Sequence, residues 1–328
     1  MISMRTLALL VLAMAVATNV DAGTRLKKPT RGFQMRVGAY TIDPGEDLEM
    51  CEYRRLPIKK PMDATSFTLR MPTGAHHFAM WGYGGALTED DRFRQGPFET
   101  IGCAGAAPDD PFPQLMIPTQ SPNTTLRFPK GIALRLEPEQ QVFLNPHMKN
   151  FGTEPMQPDI RFNFVKARKG KIEHYAQALT FGNMFGIHIP AGGDQTLTAE
   201  WTVPVPLTII HLSTHQHRLG TYANIELVSA DGATREMLVE THDWEHPSSV
   251  WPKGGIRLEK GRKLRITCSW HNSTDQDVKF GPETTDEMCF AIGFFYRDAN
   301  DTTPVSGSGC LPSKRGGLLC PMTPTAQD

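Results

Sequence analysis

Three groups of residues in this chain of 328 have types and spacings that could hold a metal ion. The first is His76-His77 with the later His147. The second is His215-Gln216-His217. The third is Met288, inside Thr285-Asp286-Glu287-Met288-Cys289. Residues i and i+2 of a strand share a face, so His215 and His217 can present two imidazoles to one ion. A thioether from Met288 would complete a soft set that accepts Cu(I) as well as Cu(II). Zinc suits that set less well, and iron normally wants a carboxylate beside two histidines. His76 and His77 are adjacent and would point to opposite faces of a regular strand. Sharing one ion therefore needs a twisted or ending strand, or different ring nitrogens. Gly74 and Ala75 make such a distortion cheap, and His147 supplies a third imidazole while leaving a coordination position open. Taken singly, each motif also fits a blander account: packing or surface polarity for the histidines, core for Met288.

Several neighbours bear on these groups. Asp286 and Glu287 are near enough to accept hydrogen bonds from ligands, although a solvated turn is the simpler account. His211 shares strand parity with His215 and His217 and reads as a neighbour, not a ligand. His242 and His246 flank Asp243-Trp244-Glu245, which fits a pocket with an aromatic wall or an exposed loop.

The elements that must position these residues are strands. Ile132/Leu134/Leu136, Ile160/Phe162/Phe164, Leu264/Ile266/Cys268/Trp270 and Met288/Phe290/Ile292/Phe294 alternate with period 2. Turn signals such as Pro72-Thr73-Gly74 and Pro190-Ala191-Gly192-Gly193 separate them. No stretch carries a long 3.6-residue stripe. With 29 Gly and 26 Pro, the pattern predicts an all-β chain of two antiparallel β-sandwich domains in tandem. The polar stretch 168–171 predicts the boundary, giving domains over 23–170 and 171–300. Residues 301–328 lack periodicity and read as a tail stapled by Cys310 and Cys320.

Residues 1–22 read as a signal peptide: Arg5, an apolar run over 7–17, and Val20 and Ala22 before a cut. The run is short for a membrane span and no second apolar stretch approaches the length of one, so no stable span is expected after cleavage. All six cysteines, Cys51, Cys103, Cys268, Cys289, Cys310 and Cys320, follow the cut. An even set in an exported chain, extracellular or periplasmic, points to three bridges. Proximity favours 51–103, 268–289 and 310–320, although fifteen pairings are possible. Asn123-Thr124-Thr125 and Asn272-Ser273-Thr274 match glycosylation acceptors. A formal net charge of −1 argues against a broad polyanion-binding surface, and no nucleic-acid partner is expected.

In ligand order and neighbouring cysteines, the chain resembles the copper type II, ascorbate-dependent monooxygenases over about residues 45–297. His76-His77 and His147 match that family's first-domain histidines. His215-Gln216-His217-Arg218-Leu219-Gly220 and Asp286-Glu287-Met288-Cys289 match its second-domain signatures. The resemblance implies jelly-roll-like domains, bridges 51–103 and 268–289, and two coppers per chain. One copper, on His76, His77 and His147, would relay an electron. The other, on His215, His217 and Met288, would be catalytic, hydroxylating an activated C–H bond with O₂ and ascorbate. The substrate would lie in a solvent-filled cleft between domains. The groups with which the peptide-amidating branch holds a carboxylate are replaced here by Ser213, Phe290 and Ile292. An apolar or aromatic small molecule suits the site better. The alternative is a non-catalytic secreted copper-binding protein on the same scaffold.

Overall fold

Ile132–Leu136, Arg161–Lys166, Lys263–His271 and Cys289–Tyr296 are strands, each carrying one of the period-2 stripes. The computed structural model describes residues 25–84, 98–99, 113–168, 170, 172–281, 285–298, 310–312 and 317–322. Among the described residues there is no helix, and the all-β expectation holds. The expected export segment and Cys103 lie outside the described residues.

In the first half, Gly32–Arg36, Arg161–Lys166, Met62–Arg70 and Ile132–Leu136 lie side by side in one sheet. Asp47–Arg55, Gln141–Lys149, Ala75–Gly82 and Gln114–Thr119 lie side by side in another. Inward side chains of both sheets join in one apolar cluster. Phe78 of the second sheet meets Phe67 and Phe162 of the first, with ring centroids 6.2 and 5.4 Å apart. In the second half, Leu207–His215, Cys289–Tyr296, Gln177–Asn183 and Leu318–Met322 form one sheet. Asp194–Thr202, Lys263–His271, Gly220–Val228 and Arg235–Thr241 form the other. The second apolar cluster, with Trp201, Ile225, Ile266 and Phe295, lies between them.

Cys268 and Cys289 are bonded and fully buried, and they join the two sheets of the second half. Closing a loop with a sequence separation of 21 is worth about 3 kcal/mol in the chain-entropy account. Cys310 bonds Cys320, and Leu318–Met322 pairs in parallel with Gln177–Asn183. Part of the expected tail is therefore a strand of the second half. Cys51 is also disulfide-bonded. Asn272 is fully buried, and its side-chain nitrogen donates to the carbonyls of Ile189, Pro190 and Gln276. It is thus a structural residue and not an accessible acceptor for a glycan, whereas Asn123 is exposed.

Two irregularities decide which way the histidines point. Between Ala75–Gly82 and Gln141–Lys149 the register runs Ala75 to Met148 and then His77 to His147. His76 is the extra residue of a β-bulge, which releases it from strict alternation. Between Leu207–His215 and Cys289–Tyr296 the register skips Ile210. Leu207, Ile209 and Leu212 face the second apolar cluster, while Ile210 packs in the first. After this second bulge the odd-numbered residues His211, Ser213 and His215 turn toward the first half.

Gly74 enters the first bulge at φ +89°, and a Cβ there would lie 2.1 Å from the Lys149 carbonyl oxygen. Gly45 has a similar φ of +79° but open space around it. Gly74→Ala is expected to cost about 1–3 kcal/mol more than Gly45→Ala, because strain and a backbone clash combine. Urea denaturation of the two variants checks this, and equal losses would contradict it.

Candidate metal centres

The first centre grows out of the bulge. His77 and His147 are directly opposite on neighbouring strands, and His76 is swung toward them. Ring centroids of the three are 5.0 to 5.5 Å apart, and one ligand-capable nitrogen from each lies within 4.8 Å of the others. The structure thus joins all three residues expected from the sequence.

Hydrogen bonds decide where the lone pairs fall. Asn145 donates its amide nitrogen to the Met50 carbonyl at 3.1 Å, so its Oδ1 faces His77 Nε2, also at 3.1 Å. His77 Nε2 must then carry the proton, leaving the lone pair on Nδ1. Asp47 acts likewise on His147, with Oδ1 2.5 Å from Nε2. The other nitrogen, His147 Nδ1, is buried and has no hydrogen-bond partner, as is His76 Nε2. Nδ1 of His76 and Nδ1 of His77 are 3.3 Å apart. Imidazole nitrogens about 2.0 Å from a shared tetrahedral ion would sit about 3.3 Å apart, so this donor set fits a metal.

The second centre lies where Leu207–His215 runs alongside Cys289–Tyr296. His215 pairs with Phe290, and continuing that register sets Met288 opposite His217. On that extended register the Met288 thioether would share the face of His215 and His217, whose ring centroids are 5.2 Å apart. His217 Nδ1 lies 2.9 Å from the Asp286 carbonyl, which can only accept. Its Nε2 therefore carries the lone pair.

Glu287 holds this corner together. It is fully buried. Its carboxylate accepts from the backbone N–H of His217 at 3.0 Å, of Leu219 at 2.7 Å and of Met288 at 3.3 Å, and from Trp270 Nε1 at 2.8 Å. The solvated turn considered from sequence is not what forms. Burial pushes the carboxyl above its usual range, opposed by the four donors.

His211 stands apart from both centres. It packs at 4.5 Å from the Trp251 ring and 5.7 Å from Phe294, and burial pushes it down to about 4. Burial, with the imidazoles of His77, His147 and His217, pushes His76 down to about 3. Burial also lowers His147, His215 and His217. For His147 it outweighs the opposing pull of Asp47. Neutral imidazoles are the form a metal binds.

Residues of the two halves touch here. Gln120 Oε1 lies 3.3 Å from His215 Nδ1, and the Trp244 ring lies 5.2 Å from His76. The solvent-filled cleft implied by the resemblance is occupied along this line by Gln120 and Trp244. Trp244 stood out in the sequence. Gln120 and Asp47 did not, because packing of the halves and strand pairing, not spacing, bring them in. Asn145 carried one usable signal, its i−2 parity with His147.

Residues 198–313 match the family model described as copper type II ascorbate-dependent monooxygenase, C-terminal domain. The second half of the chain is thus similar to this family's C-terminal domain. The match contains His215, His217 and Met288 and does not reach the first centre. No curated protein matches the chain. Among solved structures, the major capsid protein P2 from bacteriophage PM2 aligns with 82% of this chain and 99% of its own, at 10% identity and a TM-score of 0.35. The structure titled for the triple jelly roll fold and turret assembly of an archaeal virus aligns with 83% of this chain and 60% of its own, at 9% identity and a TM-score of 0.22. Two imidazoles and a thioether are a soft donor set of the kind that suits copper. The disulfides are consistent with an exported protein.

Two outcomes follow from this geometry. His76 and His211 stay neutral in the folded chain but take protons on unfolding below about pH 6.5. Their contribution is full above that pH and is lost as pH falls toward about 3 for His76 and about 4 for His211. The urea midpoint of metal-free protein should fall from pH 7 to pH 5, and His211→Leu should flatten that fall; an unchanged slope would contradict the reading. Glu287→Gln turns an N–H₂ toward N–H donors. It should cost at least about 2 kcal/mol and weaken second-site metal binding about 10–100-fold. Denaturation and metal titration measure both effects, and a variant equal to the parent would refute the role assigned to Glu287.

Proposed function

We propose that this chain is a copper-dependent monooxygenase that hydroxylates an activated C–H bond of a small molecule, with O₂ as oxidant and ascorbate as reductant. Each half of the chain holds one copper, the second half including the strand Leu318–Met322. His76, His77 and His147 hold the first, and His215, His217 and Met288 hold the second. The observation that carries the reading is the His76–His77–His147 cluster, whose nitrogens converge within 4.8 Å outside the matched region. The matched domain thus stands beside a separate set of imidazoles in the same chain.

Copper bound at the two centres would supply one-electron reduction of O₂ and the oxidant for C–H cleavage. The balance is substrate C–H plus O₂ plus two electrons and two protons giving C–OH plus water, and oxidation of ascorbate provides both electrons and both protons. The chain's own groups do the positioning. Asn145 and Asp47 keep protons on the outward nitrogens of His77 and His147. Glu287 fixes the backbone of His217 against that of Met288. Phe290 and Ile292 follow Met288 on the same strand face and give the second centre an apolar border. That border favours an apolar or aromatic substrate over an anionic one.

The test combines metal analysis and turnover. Purified protein should hold two coppers per chain, and Met288→Ala and His147→Ala should each lose one. Ascorbate-dependent O₂ uptake should accompany a product carrying one labelled oxygen from labelled O₂. Retention of two tight coppers in both variants would overturn the ligand assignment. Two coppers without turnover on a broad panel of apolar and aromatic substrates would identify a non-catalytic copper protein.

A further inference from the structure

The side chain of Gln120 comes from the first half, one residue beyond the strand Gln114–Thr119. Both ends of its amide are engaged by the second half. Nε2 donates to the Trp244 carbonyl oxygen at 3.1 Å, and Oε1 lies 3.3 Å from His215 Nδ1. A carbonyl oxygen only accepts, so it dictates which end of the amide faces it. The NH₂ must point to Trp244, and Oε1 must then point to His215. An amide oxygen also only accepts, so His215 Nδ1 must carry the ring proton. The lone pair is left on Nε2. The same logic runs within the first half, where the Met50 carbonyl orients Asn145 and Asn145 sets His77. At His217 the acceptor is a local carbonyl, that of Asp286. Among the described partners of His77, His147, His215 and His217, that of His215 alone comes from the opposite half.

We propose that Gln120 is a positioning residue that sets the ring tautomer of His215, so that the second metal centre is complete only when the two halves are docked. The proposal rests on the reading of His215 as a copper ligand. An imidazole whose outward nitrogen meets an acceptor does not have to shift its proton before offering Nε2 to the ion. The second contact across the halves, the Trp244 ring against His76 at 5.2 Å, is held by the same amide through the Trp244 carbonyl. Undocking would therefore release a ring from the first centre and a hydrogen bond from the second together.

The test compares the full-length parent with Gln120→Leu, Gln120→Glu and Phe128→Leu. Phe128 contacts Trp251 and Phe294 of the second half at 6.1 and 5.3 Å, so its variant loosens docking without touching His215. Two measurements are made. Nitrogen-15 NMR of metal-free protein reads the His215 tautomer. Competition with a Cu(I) chelator reads the affinity of each copper, and X-ray absorption identifies the second one by its sulfur ligand. The parent should show the Nδ1–H form. Gln120→Leu should shift His215 toward Nε2–H and weaken the sulfur-ligated copper about 10–100-fold, more than it weakens the other copper. Gln120→Glu keeps an acceptor for His215 Nδ1–H but loses the donor to the Trp244 carbonyl, so it should keep the parent's His215 tautomer.

A Gln120→Leu protein with the parent's tautomer and second-copper affinity overturns the proposal. Equal weakening in Gln120→Leu and Phe128→Leu with no change of tautomer also overturns it, because Gln120 would then act only as a cross-link. A parent that binds no sulfur-ligated copper overturns the functional reading itself, whereas a parent that binds it while Gln120→Leu is unaffected overturns this inference alone.

Discussion

A strand offers its side chains to two faces in strict alternation, and each candidate metal centre depends on one residue that breaks the alternation. At the first centre the extra residue is His76, itself a candidate ligand. At the second it is Ile210, five residues before His215. Without the skip at Ile210, His215 would keep the parity of Leu207 and Ile209 and face the second apolar cluster. A β-bulge accomplishes each displacement with one inserted residue. Gly74 permits the first bulge because its backbone passes too close to the Lys149 carbonyl for any Cβ.

Once the rings face the right way, their protons must be arranged. A neutral imidazole has one lone pair, and burial keeps most of these rings neutral. What remains to be decided is which nitrogen holds the lone pair. Groups that can only accept, or amides whose orientation is dictated by a backbone carbonyl, settle this at His77, His147, His215 and His217. The organisation of both candidate centres therefore reaches beyond the candidate ligands to Asp47, Asn145, Gln120 and the Asp286 carbonyl.

The sheet containing Leu207–His215 and Cys289–Tyr296 is buried on both faces. Cys289, Ala291 and Phe295 pack into the second apolar cluster, while Phe294 and Tyr296 reach the first. The same strand thus anchors the second half through the Cys268–Cys289 bond and presents Met288's face to the first half. Glu287, immediately before this strand, ties the His217 and Leu219 backbone to it. The His-x-His turn is thereby held against a strand braced by a disulfide and by two cores.

The sequence by itself determined the all-β class and named six candidate metal-binding positions, and cysteine proximity favoured the 268–289 and 310–320 bridges that the structure contains. It could do so because period-2 alternation, soft ligand types and short cysteine spacings are local properties. Even the need for a distortion at His76-His77 was legible, since adjacent strand residues cannot otherwise share a face. Only the tertiary structure decided that Ile210 flips the parity of His211 and His215, that Glu287 is a buried clamp, and that Asn272 is structural. It alone brought Gln120 to His215 and Trp244 to His76, across sequence separations of 95 and 168 residues. Such contacts are set by strand register and by the packing of one half against the other. Register depends on the sum of many pairings along a strand, so no local residue pattern carries it.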